Sequence, residues 1–217
     1  MIKKSQKKNL FVDKIAKKME KVTYKSIVPA VLKNVRKNKK YLKYGKSIEN
    51  LKGYKFNKEK VAVVVGAGPS LRRCNQIETL KEYKDRLIII SADGALYYLL
   101  DNGIIPDLVI TLDPHPTRII RWFGDIALTK SKIKKDDYFL RQDLETDFRK
   151  EVRSNKKIIK LFNKFSKKIN IAVCTSSSLA VVKRLVNSKS KIYWWNPFLD
   201  EPKNKNSATR KIYKINK

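Results

Sequence analysis

The chain holds little of what marks a secreted, metal-stapled or membrane-spanning protein. Cysteine occurs twice, at Cys74 and Cys174. Two are too few for a disulfide framework and lack metal-ligand spacing, so we expect a reducing compartment and no structural zinc. His115 is the one histidine. No apolar run reaches the length of a signal-peptide core or a membrane span, which gives a soluble cytoplasmic protein as the expectation. Acid is scarce as well: 20 Asp and Glu stand against 51 Lys and Arg, a formal net charge of +31 in 217 residues.

That imbalance is not uniform. Residues 1–60 carry +16, residues 61–125 carry −1, and residues 126–170 and 171–217 carry +8 each. A chain-wide bias toward lysine explains such charge as well as a polyanionic partner does, and no specific nucleic acid is expected. The one region that is not basic suits a divalent cation beside a phosphorylated ligand better than a generic polyanion groove.

That region opens with VAVVVGAGPSL, Val61 to Leu71. Five apolar residues without polar alternation read as a parallel strand covered on both faces, running into a loop where Gly66 and Gly68 permit backbone angles and close approaches that a Cβ forbids. Pro69 and Ser70 then open a helix whose free N–H groups attract anions. GAGPS lacks the third glycine of a dinucleotide fingerprint and the Lys of a P-loop, so tight strand-to-helix packing explains it equally well. The same grammar recurs: Leu87 to Ser91 stops at Ala92-Asp93-Gly94, and Leu108 to Leu112 stops at Asp113-Pro114. Ligands of open parallel sheets bind beyond the carboxyl ends of the strands, so the glycine loop, Asp93 and Asp113 should converge at one edge.

The remaining chain divides into a basic, largely helical extension over residues 1–59, a Rossmann-like domain over 60–200 and a basic tail over 201–217. In the extension, Leu10, Phe11, Ile15 and Met19, then Ile27, Val28, Val31, Leu32 and Val35, fit one or two amphipathic helices with Lys-rich outer faces, which Pro29 should bend or begin. This segment could pack on the domain or meet an anionic partner or membrane surface. Within the domain we expect helices over Leu71–Tyr83 and Ala95–Asp101, a short one over Pro116–Trp122 and another near Leu144–Val152. Tyr138–Leu140 and Lys157–Leu161 read as strand-like. Ile171–Cys174 is a strand, Thr175-Ser176-Ser177-Ser178 a hydroxyl-rich turn, Leu179–Val186 a helix and Lys191–Trp195 the last strand. The fold class is α/β, a doubly wound and mostly parallel Rossmann-like sheet. Ser176, Ser177 and Ser178 repeat the strand, small-residue loop, helix pattern and form a second candidate anion site, with a plain N-cap as the alternative. The two loops should line one pocket across the topological switch point.

VVVGAGPSL followed by IIISADGALYYLLDNGIIPDLVITLDP resembles the 6-hydroxymethylpterin diphosphokinase MptE-like family, itself similar to motility accessory factor glycosyltransferases. The resemblance covers about residues 61–200 and is strongest up to Pro114. It implies a transferase that grips a nucleotide: ATP for diphosphate transfer to a hydroxymethyl group of a small cyclic acceptor such as a pterin, or a nucleotide-activated sugar for surface-glycan or flagellin modification. A non-catalytic nucleotide-binding relative is a third possibility. Position by position, Gly66, Gly68, Pro69 and Ser70 fall at the family's first loop, and Asp93, Asp107 and Asp113 at its acidic positions. Two departures stand out. Ser176-Ser177-Ser178 replace a glycine-rich loop, and Tyr193-Trp194-Trp195-Asn196-Pro197 replaces a strand leading to Gly-x-Asp, with Asp200 only later.

Phosphoryl chemistry asks for such residues independently. Magnesium held by one or two carboxylates and phosphate oxygens neutralises the developing charge, and Asp93 and Asp113 are the candidates for metal-holding or acceptor positioning. Their alternatives are a helix cap and a turn. His115 could act as acid or base, or sit on the surface. Asp107 reads as a turn residue. Arg118 and Arg121 read as a solvated helix face or a phosphate clamp, Arg72 and Arg73 as possible phosphate contacts, and Tyr193, Trp194 and Trp195 as core or a stacking platform.

Overall fold

A computed structural model describes residues 2–55, 61–136, 139–140 and 146–217. A single helix α1 (Ile2–Asn38) leads through a 3-10 turn (Lys39–Tyr44) to the two-residue strand β1 (Lys46–Ser47) and a second 3-10 turn (Ile48–Leu51). Then follow β2 (Ala62–Val65), α2 (Ser70–Arg73), α3 (Gln76–Tyr83), β3 (Ile88–Ala92), α4 (Asp93–Asp101) and β4 (Leu108–Thr111). A 3-10 turn (Pro116–Arg118) precedes α5 (Ile119–Trp122), α6 (Lys130–Lys135) and α7 (Thr146–Phe165). β5 (Asn170–Cys174), α8 (Leu179–Asn187), β6 (Lys191–Trp195) and α9 (Ala208–Asn216) complete the order.

The six strands form one sheet in the order β1-β6-β5-β4-β3-β2, and every pairing is parallel. This is the α/β, Rossmann-like architecture that alternating apolar runs and helical periods demand. From β2 to β6 each crossover moves one place along the sheet. β1 lies beyond β6, so the order reverses between those two strands. Side chains alternate across the pleat. Val65, Ile89, Val109, Ile171, Val173, Ile192 and Trp194 share one face and pack into the two main cores with α3, α4, α5, α7 and α8.

Several expectations change. β2 is the sheet's edge rather than a strand covered on both faces: Val64 is 73% exposed while Val65 is buried. Leu71–Tyr83 is two helices, because Asn75 takes a left-handed φ of 50° between them. Lys157–Leu161 is helical, inside α7. Its buried Asn155, Ile158 and Phe162 recur at helical steps, a period that a five-residue apolar window hides. Phe139 and Leu140 are helical too; Tyr138, and Leu144 at the start of the helix expected there, lie outside the described residues. Pro29 does not begin a helix but lies inside α1, exposed, where water can serve the carbonyl that lacks its N–H.

The stretches read as extension and tail meet each other and the sheet. Val31 and Val35 of α1 are buried with Ile212 of α9, and β1 pairs with β6. Asp200 accepts from the backbone N–H of Ala208 and Thr209 and the hydroxyls of Ser207 and Tyr24, joining α1 to the start of α9. Burial works against its charge, but these bonds hold its carboxyl below the usual carboxylate range.

Candidate functional site

All strands run parallel, so the loops after β2, β3, β4 and β5 line one edge. The first, Gly66 to Ser70, is exposed throughout. A Cβ built on Gly66 would meet nothing within 4 Å, and neither Gly66 nor Gly68 has positive φ. Their backbone angles therefore do not require glycine, contrary to the expectation; what Gly66 leaves is open space above the loop. Gly94, by contrast, is needed for contact: a Cβ there would sit 2.7 Å from that of Ala67. The β2 and β3 loops thus touch, with Asp93 at their junction.

Asp93 is the first residue of α4. Burial pushes its carboxyl up to about 6, and the charge of Asp113 adds to the rise; the Thr111 hydroxyl, the Gly94 amide and Arg118 pull the other way. Asp113 stands at the end of β4, accepting from the His115 N–H at 2.7 Å and pairing with Arg118 at 2.9 Å. Nδ1 of His115 lies 2.8 Å from the hydroxyl of the buried Thr117. Arg118 is therefore part of this cluster rather than a solvated helix face. Arg72 lies over the ring of Tyr98, 5.3 Å from its centroid.

Asp107 precedes β4 and so lies at the opposite edge, where its carboxylate accepts from the Ile89 N–H at 2.8 Å. It ties two strands together.

The serine loop continues the same edge but is closed. Its backbone meets the acid cluster through the Ser178 N–H, which donates to the Asp113 carbonyl at 3.1 Å. Ser176, Ser177 and Ser178 are buried. Their hydroxyls engage Cys174 Sγ at 3.0 Å, the Thr111 carbonyl at 3.3 Å and the Val181 N–H at 3.4 Å, the last being an N-cap of α8. Above them lies α1: Asn34 donates to the carbonyls of Pro114 and Ser176, and Asn38 to those of Thr175 and Ser177. The glycine and serine loops share an edge, the first exposed and the second buried. Two strands separate β2 from β5, and the order reverses at β1 and β6 instead.

At that reversal a cavity of about 240 Å³ is lined by Gly45, Lys46, Ser47, Thr175, Trp195 and Asn216 among others. Trp194 and Tyr193 belong to the buried interior.

No group of three or more His, Cys, Asp or Glu side chains stands ready for a metal among the described residues. Asp93 and Asp113 follow the neighbouring strands β3 and β4, so two carboxylates stand at one edge, the first of them largely withdrawn from water. Asp113 is shared with Arg118. Sequence reasoning left out Asn34, Asn38 and Thr117; the asparagines carry no local signal, since their partners lie 80 to 142 residues away.

Fold and edge together define a Rossmann-like α/β protein with an acid-and-glycine cluster beyond the ends of its strands. Residues 30–125 match the family model described as 6-hydroxymethylpterin diphosphokinase MptE-like. The 6-hydroxymethyl-7,8-dihydropterin pyrophosphokinase of Methanothermobacter thermautotrophicus is 39% identical over 49 residues, 23% of this chain and 20% of that protein. An uncharacterized protein of Treponema pallidum is 34% identical over 59 residues, 27% of either chain. This chain thus spans about a fifth to a quarter of the length of the curated relatives it matches. Among solved structures, the MAf glycosyltransferase of Magnetospirillum magneticum AMB-1 aligns over 64% of this chain and 16% of that one, at 19% identity and a TM-score of 0.37.

Proposed function

We propose that this chain is a nucleotide-dependent transferase of the diphosphokinase type, passing a diphosphate from ATP to the hydroxymethyl group of a small cyclic acceptor such as a pterin. The observation that carries the reading is the desolvated carboxyl of Asp93, held against an open glycine loop and beside a second carboxylate. The matched family and the pyrophosphokinase relative support the class of reaction.

In this reading Gly66 and Gly68 admit the phosphates and the helix start at Pro69 and Ser70 offers N–H groups to them. Asp93 and Asp113 would hold magnesium, which when bound neutralises charge on the transferring phosphates. Arg118 orients Asp113. The acceptor oxygen bonds to the β-phosphorus as its bond to the α,β-bridging oxygen breaks, AMP leaves, and the hydroxyl proton passes to a base, for which His115 is the candidate. Ser176, Ser177 and Ser178 act indirectly, fixing the Asp113 backbone.

Thermal denaturation with ligands tests this. A non-hydrolysable ATP analogue with magnesium should raise the melting temperature more than either alone. Stabilisation by CMP or UDP compounds instead would replace diphosphate transfer by glycosyl transfer, and no response to any nucleotide would reject the site.

A further inference from the structure

Helix α1 carries two apolar faces that do not coincide. Its C-terminal part docks on the domain: Val31 and Val35 are buried, and Tyr24, Asn34 and Asn38 hydrogen-bond across to it. Val12, Ile15, Met19 and Val22 recur at steps of three and four residues, and at about 100° per residue they lie rotated by roughly 140° from that docking face. They are 43–65% exposed. The domain that holds the one face cannot cover the other. Lys14, Lys18 and Lys25 run along one side of the seam and are exposed as well. Along α1 twelve Lys and Arg stand against Asp13 and Glu20.

We propose that this arm lies on an anionic lipid surface, with the Val12–Ile15–Met19–Val22 seam at the boundary of headgroups and acyl chains and the flanking lysines on the headgroup charges. Three features select this occupant. The seam is two heptads long, since Lys8, Ser26 and Pro29 hold the next seam positions, which is too short for a coiled coil with a second copy of so basic a helix. A nucleic acid would engage the lysines but leave the apolar seam in water. No helix among the described residues is long and apolar enough to cross a membrane, so the arm rests in the interface. This inference does not depend on the proposed chemistry.

The test is co-sedimentation of the full chain with vesicles of phosphatidylcholine alone and with roughly one-third phosphatidylglycerol, at low and physiological salt. Binding is expected only to the anionic vesicles. The double substitution Ile15→Asp with Met19→Asp should weaken it by roughly tenfold or more while the melting temperature stays put, because both side chains are exposed. Lys18→Glu with Lys25→Glu should weaken it too. Unchanged vesicle binding by the seam variant would overturn the proposal. So would absence of vesicle binding together with capture by duplex DNA or RNA, or a dimer in solution that the seam variant dissolves.

Discussion

Asp93 sits where two influences oppose each other. The first turn of α4 favours a negative charge, yet burial wins and raises the carboxyl from an ordinary 3.8 to about 6. A carboxyl whose folded value lies above its unfolded one stabilises the fold fully below the unfolded value. That contribution fades as pH rises through about 6. Asp93→Asn should therefore raise the melting temperature at about pH 7.5, and the gain should vanish near pH 4, with a ceiling of roughly 3 kcal/mol. A gain independent of pH would mean that the charge is not what strains the site. Asp113 should behave differently. Its pairing with a half-exposed Arg118 contributes at most about 1 kcal/mol, so Asp113→Asn should leave stability nearly intact while magnesium-dependent nucleotide binding falls by an order of magnitude or more. Asp107→Asn, at the opposite edge, is the control and should retain binding; equal loss in both variants would undo the assignment.

At the scale of loops and helices, the two glycines beside Asp93 make separable claims. Gly66→Ala introduces a methyl into empty space at a backbone angle any residue adopts, so stability should hold or rise by about 0.4–1 kcal/mol while nucleotide affinity drops. Gly94→Ala drives a methyl into Ala67, so melting temperature and affinity should fall together. If Gly66→Ala binds nucleotide normally, the open space above the loop is not where phosphate sits. This contrast also shows what the sequence could and could not reveal. Strands β2 to β6 were legible because each is a mostly apolar run that stops at a turn or loop signal, and the positions of Asp93 and Asp113 follow from where those runs stop. β1 offers only Lys46 and Ser47, with no apolar run to read. The helix over Lys157–Leu161 needed the longer period through Asn155 and Phe162. The serine loop looked like an anion site because nothing near it in sequence announces that Asn34 and Asn38 will close it.

For the molecule as a whole, the question is which parts of so basic a chain fold as one body. The contacts divide α1 near Thr23. Beyond it, the Tyr24 bond to Asp200, the packing of Val31 and Val35 on Ile212, and the amides of Asn34 and Asn38 bind the helix to β4, β5 and α9. Before it, Val12 to Val22 meets water. Asn38→Ala would leave the carbonyls of Thr175 and Ser177 buried without that donor, a loss of about 1–3 kcal/mol and several degrees in melting temperature. Removing residues 1–22 should do neither, because Val12, Ile15, Met19 and Val22 are all exposed, yet it should abolish binding to anionic vesicles. The two variants thus pull apart two roles of one helix, and calorimetry beside vesicle sedimentation reads both. Should the truncated chain melt as low as the Asn38→Ala variant, the exposed arm would have to be held by the fold after all, and its seam would no longer be available to a lipid surface.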